Sequence, residues 1–401
     1  MGNIEVKAAS VEPKTSVSFT LNGAPVDVQG VTPSITLNDW LRSQPGLTGT
    51  KKMCGEGGCG CCVVAVSLQS PVTQQETTFA INSCLCPLLS VEGWKITTVE
   101  GIGSSKAGFH PIQQRLAEYN GSQCGYCSPG FVMNMYSFLQ QNPAPSAEQI
   151  ADIFDGNICR CTGYRPILDA MTSFKAEKEN GVIDIEEVQK KLCPRTGKAC
   201  SNPRSTCTAP YLGPTRELVT PSAWYAPSSL ADLFSIFSAH PESSVRLVAG
   251  DTGRGVFKNP PVADVYIDLK HIPDLYTSTL TEKSLLVGSA VPLSVLIGLL
   301  ETNKNSSPST FSQLAHHLSN IANLPVRNVG SWAGNLMLTH NYDFFPLRCL
   351  CSDGCCGSHS LYCHLVQYTV SVTVGFPHSG HEQIGDCVHG NSFCERRHCL
   401  S

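Results

Sequence analysis

A glycine-rich loop that contains four cysteines constrains this chain more than any other segment. Cys54, Cys59 and Cys62 have the C-x4-C-x2-C spacing of plant-type ferredoxins, in which a distant fourth cysteine completes the ligands of a [2Fe–2S] cluster. Cys61 is a surplus thiol between them, and we interpret it as a packing residue, with a register shift to Cys61 left open. The alternative is a loop of buried or disulfide-bonded cysteines, which this spacing disfavours.

The shape of this loop explains why it is rich in glycine. Gly55, Gly57, Gly58 and Gly60 can adopt the positive φ angles that a tight curl of backbone around a cluster requires. They also allow main-chain N–H groups to approach the cluster sulfurs, and such hydrogen bonds tune the reduction potential. Spacing and glycine content together predict a cluster-binding loop.

The fourth ligand of this cluster is expected in the segment after the next strand. Cys84 closely follows the strand-like segment Thr78–Ile81 and is our preferred candidate. Cys86, which precedes Pro87, is the alternative.

The segments around the loop indicate a β-grasp ferredoxin-like domain over residues 1–102. Apolar residues alternate with polar ones near the start, and Asn22-Gly23 is a strong hairpin signal. The pattern predicts strands and one short helix at Val17–Leu21, Thr36–Arg42, Val63–Leu68 and Lys95–Val99.

Two further cysteine pairs lie in residues 103–186. Cys124 and Cys127 form a C-x2-C pair, and Cys159 and Cys161 form a C-x-C pair. We expect each pair to stand just before a helix, whose N-terminus favours the negative charge of a thiolate-ligated cluster. The alternatives are a redox-active C-x2-C pair or a zinc site with four thiolates. The tight C-x-C spacing suits a di-iron core better, so we predict a second [2Fe–2S] cluster.

Helix-start signals predict that this second domain contains four helices. Pro111, Pro129 and Pro166 suit the first turn of a helix, where a missing N–H costs nothing. Ser146 and Gln149 form a capping box for the remaining helix.

Bulk composition and charge exclude several classes of protein. The 401 residues carry a net charge of −4, so no basic surface argues for a nucleic-acid partner. The most apolar run, Leu285–Leu300, is interrupted at Pro292 and is shorter than the roughly 18 residues of a membrane helix. It predicts a strand, a turn and a buried helix. Met1–Ser10 is polar and does not resemble a signal peptide, so we expect a cytoplasmic protein. In such a chain the 21 cysteines suggest metal or redox chemistry rather than disulfides.

Residues 187–214 are rich in Pro, Gly, Ser and Thr and predict a linker. The strand-like Val245–Val248 then leads into the glycine-rich turn Ala249–Gly253. Such a turn can present N–H groups to a phosphate, although from the residues alone a plain tight turn is the default interpretation.

Three of these segments resemble the xanthine dehydrogenase/aldehyde oxidase family of molybdenum hydroxylases. They are the loop Cys54–Cys62, the stretch from His110 to Cys127, and Cys159–Arg165, and the resemblance extends over most of residues 15–346. It implies two sets of [2Fe–2S] ligands, namely Cys54, Cys59, Cys62 and Cys84 for the first cluster and Cys124, Cys127, Cys159 and Cys161 for the second. It further implies that Gln123 touches the molybdopterin cofactor.

The resemblance also implies an FAD-binding domain of the PCMH type over residues 215–346. It identifies a flavin pyrophosphate loop formed by Leu247, Val248, Ala249, Gly250, Asp251, Thr252, Gly253 and Arg254. A second FAD loop lies within Asn323–Asn335 and contributes Ser331, Gly334 and Asn335. Asp251 stands where the family usually has Asn, and Trp332 also departs from the pattern.

The resemblance stops after Pro346, before the large molybdenum domain that complete members possess. Residues 347–401 form a divergent tail rich in Cys and His, with a strand-like piece at Tyr368–Val374. A zinc module is one interpretation of the tail, and a translated intron or a shifted reading frame is the other.

These observations predict an α+β multidomain oxidoreductase that retains the electron-transfer part of an aldehyde oxidase-like enzyme. Complete members of the family pass electrons from molybdenum through both clusters to FAD. No catalytic residue is expected in this chain, and its partner would be a second copy or a separate molybdenum subunit. The alternatives are an electron-carrier subunit for a molybdopterin protein, or a non-functional truncated product.

Overall fold

A computed structural model describes residues 11–70, 72–105, 107–175, 222–257, 261–281, 285–303, 308–341, 361–366 and 369–374. The linker expected at 187–214 lies outside these residues, as does most of the divergent tail.

The first domain is built on a five-stranded mixed sheet with strand order β2-β1-β5-β3-β4. Its elements are β1 (Val17–Leu21), β2 (Ala24–Val28), helix α1 (Leu37–Ser43), β3 (Val63–Gln69), β4 (Glu76–Asn82) and β5 (Lys95–Thr97). β1 pairs antiparallel with β2 and parallel with β5, as expected of a β-grasp fold.

Local sequence signals explain the start of this domain. Asn22 and Gly23 both have positive φ angles (50° and 84°), which a two-residue hairpin turn requires and which these residue types tolerate. The Thr36 hydroxyl accepts a hydrogen bond from Asp39 N and caps α1. The helix then packs Trp40 edge-on against Phe19 of the sheet, with ring centroids 5.3 Å apart. Burial of each such side chain contributes about 1.5–3 kcal/mol.

The second domain is helical. It contains α2 (Val99–Ile102), α3 (Pro111–Glu118), α4 (Ser128–Gln141), α5 (Ala147–Asp152) and α6 (Arg165–Thr172). The structure contains the four helices expected from Pro111, Pro129, Ser146 and Pro166, and α5 begins with the expected capping box. Phe131 and Met135 of α4 are fully buried in the core between the helices.

The third domain combines a parallel three-stranded sheet with helices. Its first part contains β6 (Ala223–Tyr225), α7 (Leu230–Ala239), β7 (Val245–Val248), α8 (Gly253–Val256) and β8 (Val265–Asp268), and the strand order is β6-β8-β7. Trp224 lies in β6, and its ring stacks on Tyr266 of the neighbouring strand. Ser229 caps α7.

The second part of this domain contains β9 (Ser278–Leu280), β10 (Leu285–Val287), α9 (Leu293–Thr302), α10 (Pro308–Ser319), α11 (Leu324–Arg327) and α12 (Trp332–Asn341). The strand, turn and helix expected within Leu285–Leu300 are therefore present. In the tail, β11 (Leu361–Val366) and β12 (Thr369–Val374) form an antiparallel hairpin, which matches the strand-like piece near Tyr368. In the part of the chain that the structure describes, no helix combines the length and apolar character needed to cross a membrane.

Candidate iron–sulfur and flavin sites

The first cysteine loop curls through three glycines in the left-handed region. Gly55, Gly57 and Gly60 have φ angles of 71°, 75° and 68°. Gly58 does not, so the expectation of a positive φ was wrong for this glycine; the three others suffice for the curl. Gly60 is also needed for a second reason, namely the close packing of two backbones. A Cβ on Gly60 would lie 2.5 Å from the main-chain oxygen of Gly156.

The structure brings together the four thiols expected to hold the first cluster. The Cys54 thiol forms hydrogen bonds with those of Cys59 and Cys84, and Cys84 also interacts with Cys62. Glu56 N donates to Cys54 Sγ at 3.5 Å. Thiolate-rich surroundings with N–H donors aimed at sulfur are the chemistry that an iron–sulfur cluster requires.

The hydrogen bonds between these thiols shift their pKa values in opposite directions. The contacts with Cys59 and then Cys84 hold the pKa of Cys54 far below its usual value. Hydrogen bonds with Cys54 and then Cys62 raise the pKa of Cys84. Iron binding requires thiolates, so loading of the site should release protons to solvent.

The two surplus thiols near this site differ in position. Cys86 lies in the hydrophobic core, where its thiol donates to Pro87 O at 3.6 Å and burial raises its pKa to about 12. Cys61 is buried with its Sγ 3.4 Å from Cys59 Sγ. Cys84, and not Cys86, therefore lies beside the loop.

The ten cysteines between residues 54 and 161 are free thiols, which disagrees with the alternative of a disulfide-bonded loop.

The second group of cysteines also forms pairs. The Cys124 thiol interacts with that of Cys161, and the Cys127 thiol interacts with that of Cys159. Cys127 is the N-cap residue of α4, as expected for a ligand at a helix start. A main-chain hydrogen bond from Tyr126, followed by the contact with Cys161, lowers the pKa of Cys124, whereas burial raises the pKa of Cys127 to about 12.

The thiols form a linked series of contacts at the first site and two pairs at the second. In the described part of the chain, no group of three or more His, Cys, Asp or Glu side chains is arranged to hold a metal ion as it stands. A [2Fe–2S] cluster instead spreads four thiolates over two irons. The donor set of eight thiols with main-chain N–H groups directed at sulfur fits this group, while the assignment of individual ligands stays a prediction.

The two cysteine sites lie against each other. Ile158 N donates to Cys59 O at 3.1 Å. A Cβ on Gly130, in the first turn of α4, would lie only 2.1 Å from Gly60 O. The backbones of the two sites are therefore in direct contact, which favours electron transfer between groups held in them.

The two expected flavin loops also meet. Gly250 has a φ angle of 86°, and a Cβ there would lie 2.3 Å from the main-chain oxygen of Val329, which lies within the second stretch Asn323–Asn335. Ser331 Oγ accepts from Gly334 N at 3.1 Å. Among the described residues, Asn335 Oδ1 is buried and has no hydrogen-bond partner. A buried acceptor without a partner beside two close glycine turns fits a polar ligand such as FAD.

Asp251, the departure from the family pattern, has a local partner. Its carboxylate pairs with Arg254 Nε at 2.9 Å, and Arg254 Nη1 also donates to Ser34 O of the first domain at 3.1 Å. Burial raises the pKa of Asp251, and the nearby Arg254 and Arg246 oppose that shift. The carboxylate thus forms a buried ion pair that an Asn at this position would not form.

A cavity of about 1360 Å³ extends from these turns to the first sheet. Among the residues that line it are Ala249, Gly250, Thr252, Lys270, Tyr276 and Val329. The other residues of the expected pyrophosphate loop do not line the cavity: Val248 is buried and Leu247 is exposed to solvent. Asp251, Gly253 and Arg254 are also absent from its lining. Gln123 is exposed beside Cys124.

Sequence reasoning missed the asparagines that join the domains. Asn82, Asn157 and Asn323 are buried, and each donates to a glycine oxygen of the first cysteine loop. The only signal in the sequence was that Asn82 and Asn157 each lie two residues before a candidate ligand, Cys84 and Cys159. Such a position does not reveal that the side chain bonds to another domain.

Comparison with known families agrees with this architecture. A model of the 2Fe-2S iron-sulfur cluster binding domain matches residues 19–89, and a model of the [2Fe-2S] binding domain matches residues 98–172. A model of the FAD binding domain in molybdopterin dehydrogenase matches residues 219–353. Fold and sites therefore define an α+β protein with two [2Fe–2S]-binding domains and one FAD-binding domain, and the expected fold class and cofactors are confirmed.

Similar proteins identify the family. The chain is 36% identical to an indole-3-acetaldehyde oxidase of Zea mays over 82% of this chain and 26% of that protein. It is 35% identical to the probable aldehyde oxidase 4 of Oryza sativa subsp. japonica over 83% of this chain and 44% of that protein. The chain belongs to the xanthine dehydrogenase/aldehyde oxidase family of molybdenum hydroxylases, and it spans between about a quarter and just under half of these relatives.

A solved structure is similar to part of this chain. It is the quinoline 2-oxidoreductase of Pseudomonas putida 86, with 36% identity over 39% of this chain and 90% of that chain, and a TM-score of 0.34.

Proposed function

We propose that this chain carries electrons between a molybdenum centre, held by a further domain or subunit, and FAD. The contact between the two cysteine sites, through Ile158 N and Cys59 O, is the observation that carries the proposal. When bound, the clusters supply one-electron carriers and FAD supplies a two-electron carrier. The residues of this chain would hold these groups in sequence.

The ligands of the proposed route come from both cysteine groups. The first, more buried cluster, here called the inner cluster, is held by Cys54, Cys59, Cys62 and Cys84. The second cluster, here called the outer cluster because two of its ligands are exposed, is held by Cys124, Cys127, Cys159 and Cys161. The N–H groups of Glu56 and Gly57 donate to the sulfurs of Cys54 and Cys84, and this donation stabilises the added charge of a reduced cluster.

The outer site presents a surface for the molybdenum-binding partner. Cys124 and Cys161 are exposed, and three large side chains around them are exposed by 38–49%. These are Tyr126, Ile158 and Tyr164. An apolar and aromatic surface around exposed ligands supports docking of another protein domain, and Gln123 would lie at this contact. A second copy of this chain is the other partner to be tested.

We assign the FAD site to the two glycine turns, within a domain proposed over residues 215–346. The iron–sulfur domains are proposed over 1–102 and 103–186. Free thiols that must stay reduced to bind iron support a cytoplasmic location. By extension from the relatives, the assembled enzyme would oxidise an aldehyde, and the residues that contact the aldehyde would lie outside this chain.

The proposal is tested by reconstituting the full chain anaerobically with iron, sulfide and FAD and adding an aldehyde with and without a molybdopterin-containing domain of a relative. We expect the visible cluster absorption to bleach only when that domain is present. Bleaching by aldehyde without it would contradict the proposed division of labour. Absence of bleaching under both conditions, although dithionite reduces the clusters, would contradict the proposed route.

A second candidate function is supported by the same exposed surface. The chain would then act as a separate electron-carrier subunit that binds an independent molybdopterin protein. Co-purification of the full chain with such a protein would support this candidate, and Tyr126→Asp should abolish the association, because a charge would be buried in the interface. Unchanged association would contradict the assignment of the surface.

A further inference from the structure

A side chain of the flavin-binding domain reaches the first cysteine loop. Asn323 Nδ2 donates to Gly57 O at 2.7 Å, and Asn82 Nδ2 donates to the same oxygen at 3.2 Å. Asn82 Nδ2 also donates to Asn323 Oδ1 at 3.3 Å. Asn82 and Asn323 are 3% and 9% exposed, so water does not compete for these hydrogen bonds. Two amides from different domains therefore hold one main-chain oxygen of the loop.

Gly57 is directly connected to candidate ligands. Its main-chain N–H donates to the sulfur of Cys84. The Cys62 thiol lies 3.6 Å from Asn82 Oδ1. Val326, one turn beyond Asn323, packs against Cys62, Cys84 and Leu85. The amide pair thus stands immediately behind two of the four thiols.

A buried arginine fixes the segment that carries Asn323. Arg327 Nη1 donates to the main-chain oxygens of Ser319, Ile321 and Ala322 at 2.9, 3.1 and 2.7 Å. Its Nη2 pairs with Asp155 Oδ2 of the second iron–sulfur domain at 3.1 Å. Neutralisation by a carboxylate and satisfaction by three carbonyls make this buried cation stable. Asn323 is thereby held in one position relative to both iron–sulfur domains.

We propose that Asn323 is a positioning residue for the first cluster, through which docking of the flavin-binding domain sets the hydrogen bonding of that cluster. Asn323 holds Gly57 O, and the orientation of Gly57 in turn fixes its N–H on the sulfur of Cys84. The inference rests on the proposed function, since it assigns Cys84 to the first cluster. Loss of the Asn323 donor would loosen the loop and weaken the N–H···S bond. A weaker bond stabilises the reduced cluster less and lowers its reduction potential.

The decisive variant is Asn323→Ser. Asn323 Oδ1 also accepts from Val326 N at 3.2 Å and so caps α11. Serine retains a capping oxygen without a charge, but its short side chain does not reach Gly57 O. Asn328→Ala is the matched control, because Asn328 Nδ2 donates at 2.9 Å to Ala80 O, which is another contact between the same domains but away from the loop.

Two measurements on the full chain test the proposal. Hydrogen–deuterium exchange of residues 54–60 reports the loop with or without iron, and EPR-monitored redox titration reports the two clusters separately. We expect Asn323→Ser to increase deuterium uptake in this loop and to shift the potential of one cluster signal to a more negative value. The other signal should stay unchanged, and Asn328→Ala should alter neither measurement.

Two results would contradict the proposed role of Asn323. Uptake in residues 54–60 that is the same for wild type and Asn323→Ser would overturn the inference. An equal change in Asn328→Ala would also overturn it, because the effect would then reflect general loosening of the domain contact. If the wild type binds no cluster, the proposed function fails, and the exchange comparison still decides whether Asn323 holds the loop.

Discussion

The side-chain amide of Asn157 donates to the main-chain oxygen of Gly60 at 3.3 Å, across the boundary between the two iron–sulfur domains. Asn157 is held in turn by Asn134 of α4, whose Nδ2 donates to Asn157 Oδ1 at 2.7 Å. All three residues are buried. The first cysteine loop is therefore tied to the segment that carries Cys159 through a continuous chain of hydrogen bonds.

Gly60→Ala should destabilise this boundary. The residue has a φ angle of 68°, and the added Cβ would lie 2.5 Å from Gly156 O, which is main chain and cannot rotate away. Gly30→Ala is the control, since Gly30 has a φ angle of 67° but nothing within 4 Å of an added Cβ. We expect Gly60→Ala to lower the free energy of unfolding by about 2 kcal/mol more than the control does. Equal losses in chemical denaturation would contradict the close packing.

Serine variants should distinguish the fourth ligand of the first cluster. Cys84→Ser should remove one of the four thiolates and lower iron content by about two atoms per chain, the content of one [2Fe–2S] cluster. Cys86→Ser should leave iron content unchanged, because Cys86 lies in the core and not beside the loop. Colorimetric iron and acid-labile sulfide assays check both variants. Loss of iron from Cys86→Ser alone would reverse the assignment.

Asp251→Asn should strengthen FAD binding. The carboxylate lies in the expected pyrophosphate loop and neutralises the guanidinium of Arg254 at 2.9 Å, so an Asn there would leave the positive charge free to attract a phosphate. Removal of this charge should tighten FAD binding about tenfold, or ~1.4 kcal/mol. The quenching of FAD fluorescence on titration with protein measures the change. Weaker binding by the Asn variant would show that the Asp251–Arg254 pair shapes the loop more than it repels the ligand.

His271 should make the stability of the flavin-binding domain depend on pH. Burial, followed by the charges of Lys270 and Lys14, lowers the pKa of His271 from 6.5 to about 4. Between these values the unfolded chain binds a proton that the folded domain does not, so the free energy of unfolding falls as the pH falls through this range. His271→Gln should recover about 1 kcal/mol relative to wild type near pH 5, less than the full shift would give because the partly exposed ring is screened by solvent, and little near pH 8. Urea denaturation of wild type and His271→Gln at both pH values measures the difference. An equal loss of unfolding free energy in the two proteins between pH 8 and pH 5 would contradict the prediction.

The sequence was sufficient for features that depend on local chemistry. The C-x4-C-x2-C loop, the hairpin at Asn22-Gly23 and the capping box at Ser146 each follow from spacing or side-chain type within a few residues. The choice of Cys84 over Cys86 as the fourth ligand stays a prediction, although the structure places the Cys84 thiol beside those of Cys54 and Cys62.

Features that depend on contacts between distant segments could not be predicted. The ring of Trp224 stacks on that of Tyr266 across two parallel strands, and these two residues are far apart in the chain. Gly58 was grouped with the other glycines, since spacing alone does not say which residues of a curl have positive φ. Asn323 and Gly57 are far apart in sequence, and only the packing of three domains brings the amide to the loop.

The most direct test of the account is a count of iron and acid-labile sulfide in the anaerobically reconstituted full chain, with an EPR spectrum after reduction by dithionite. Two [2Fe–2S] clusters predict about four irons and about four sulfides per chain and two distinct rhombic signals. A chain that binds zinc instead, or that gives about two irons and a single signal, would contradict the assignment of eight cysteines to two clusters.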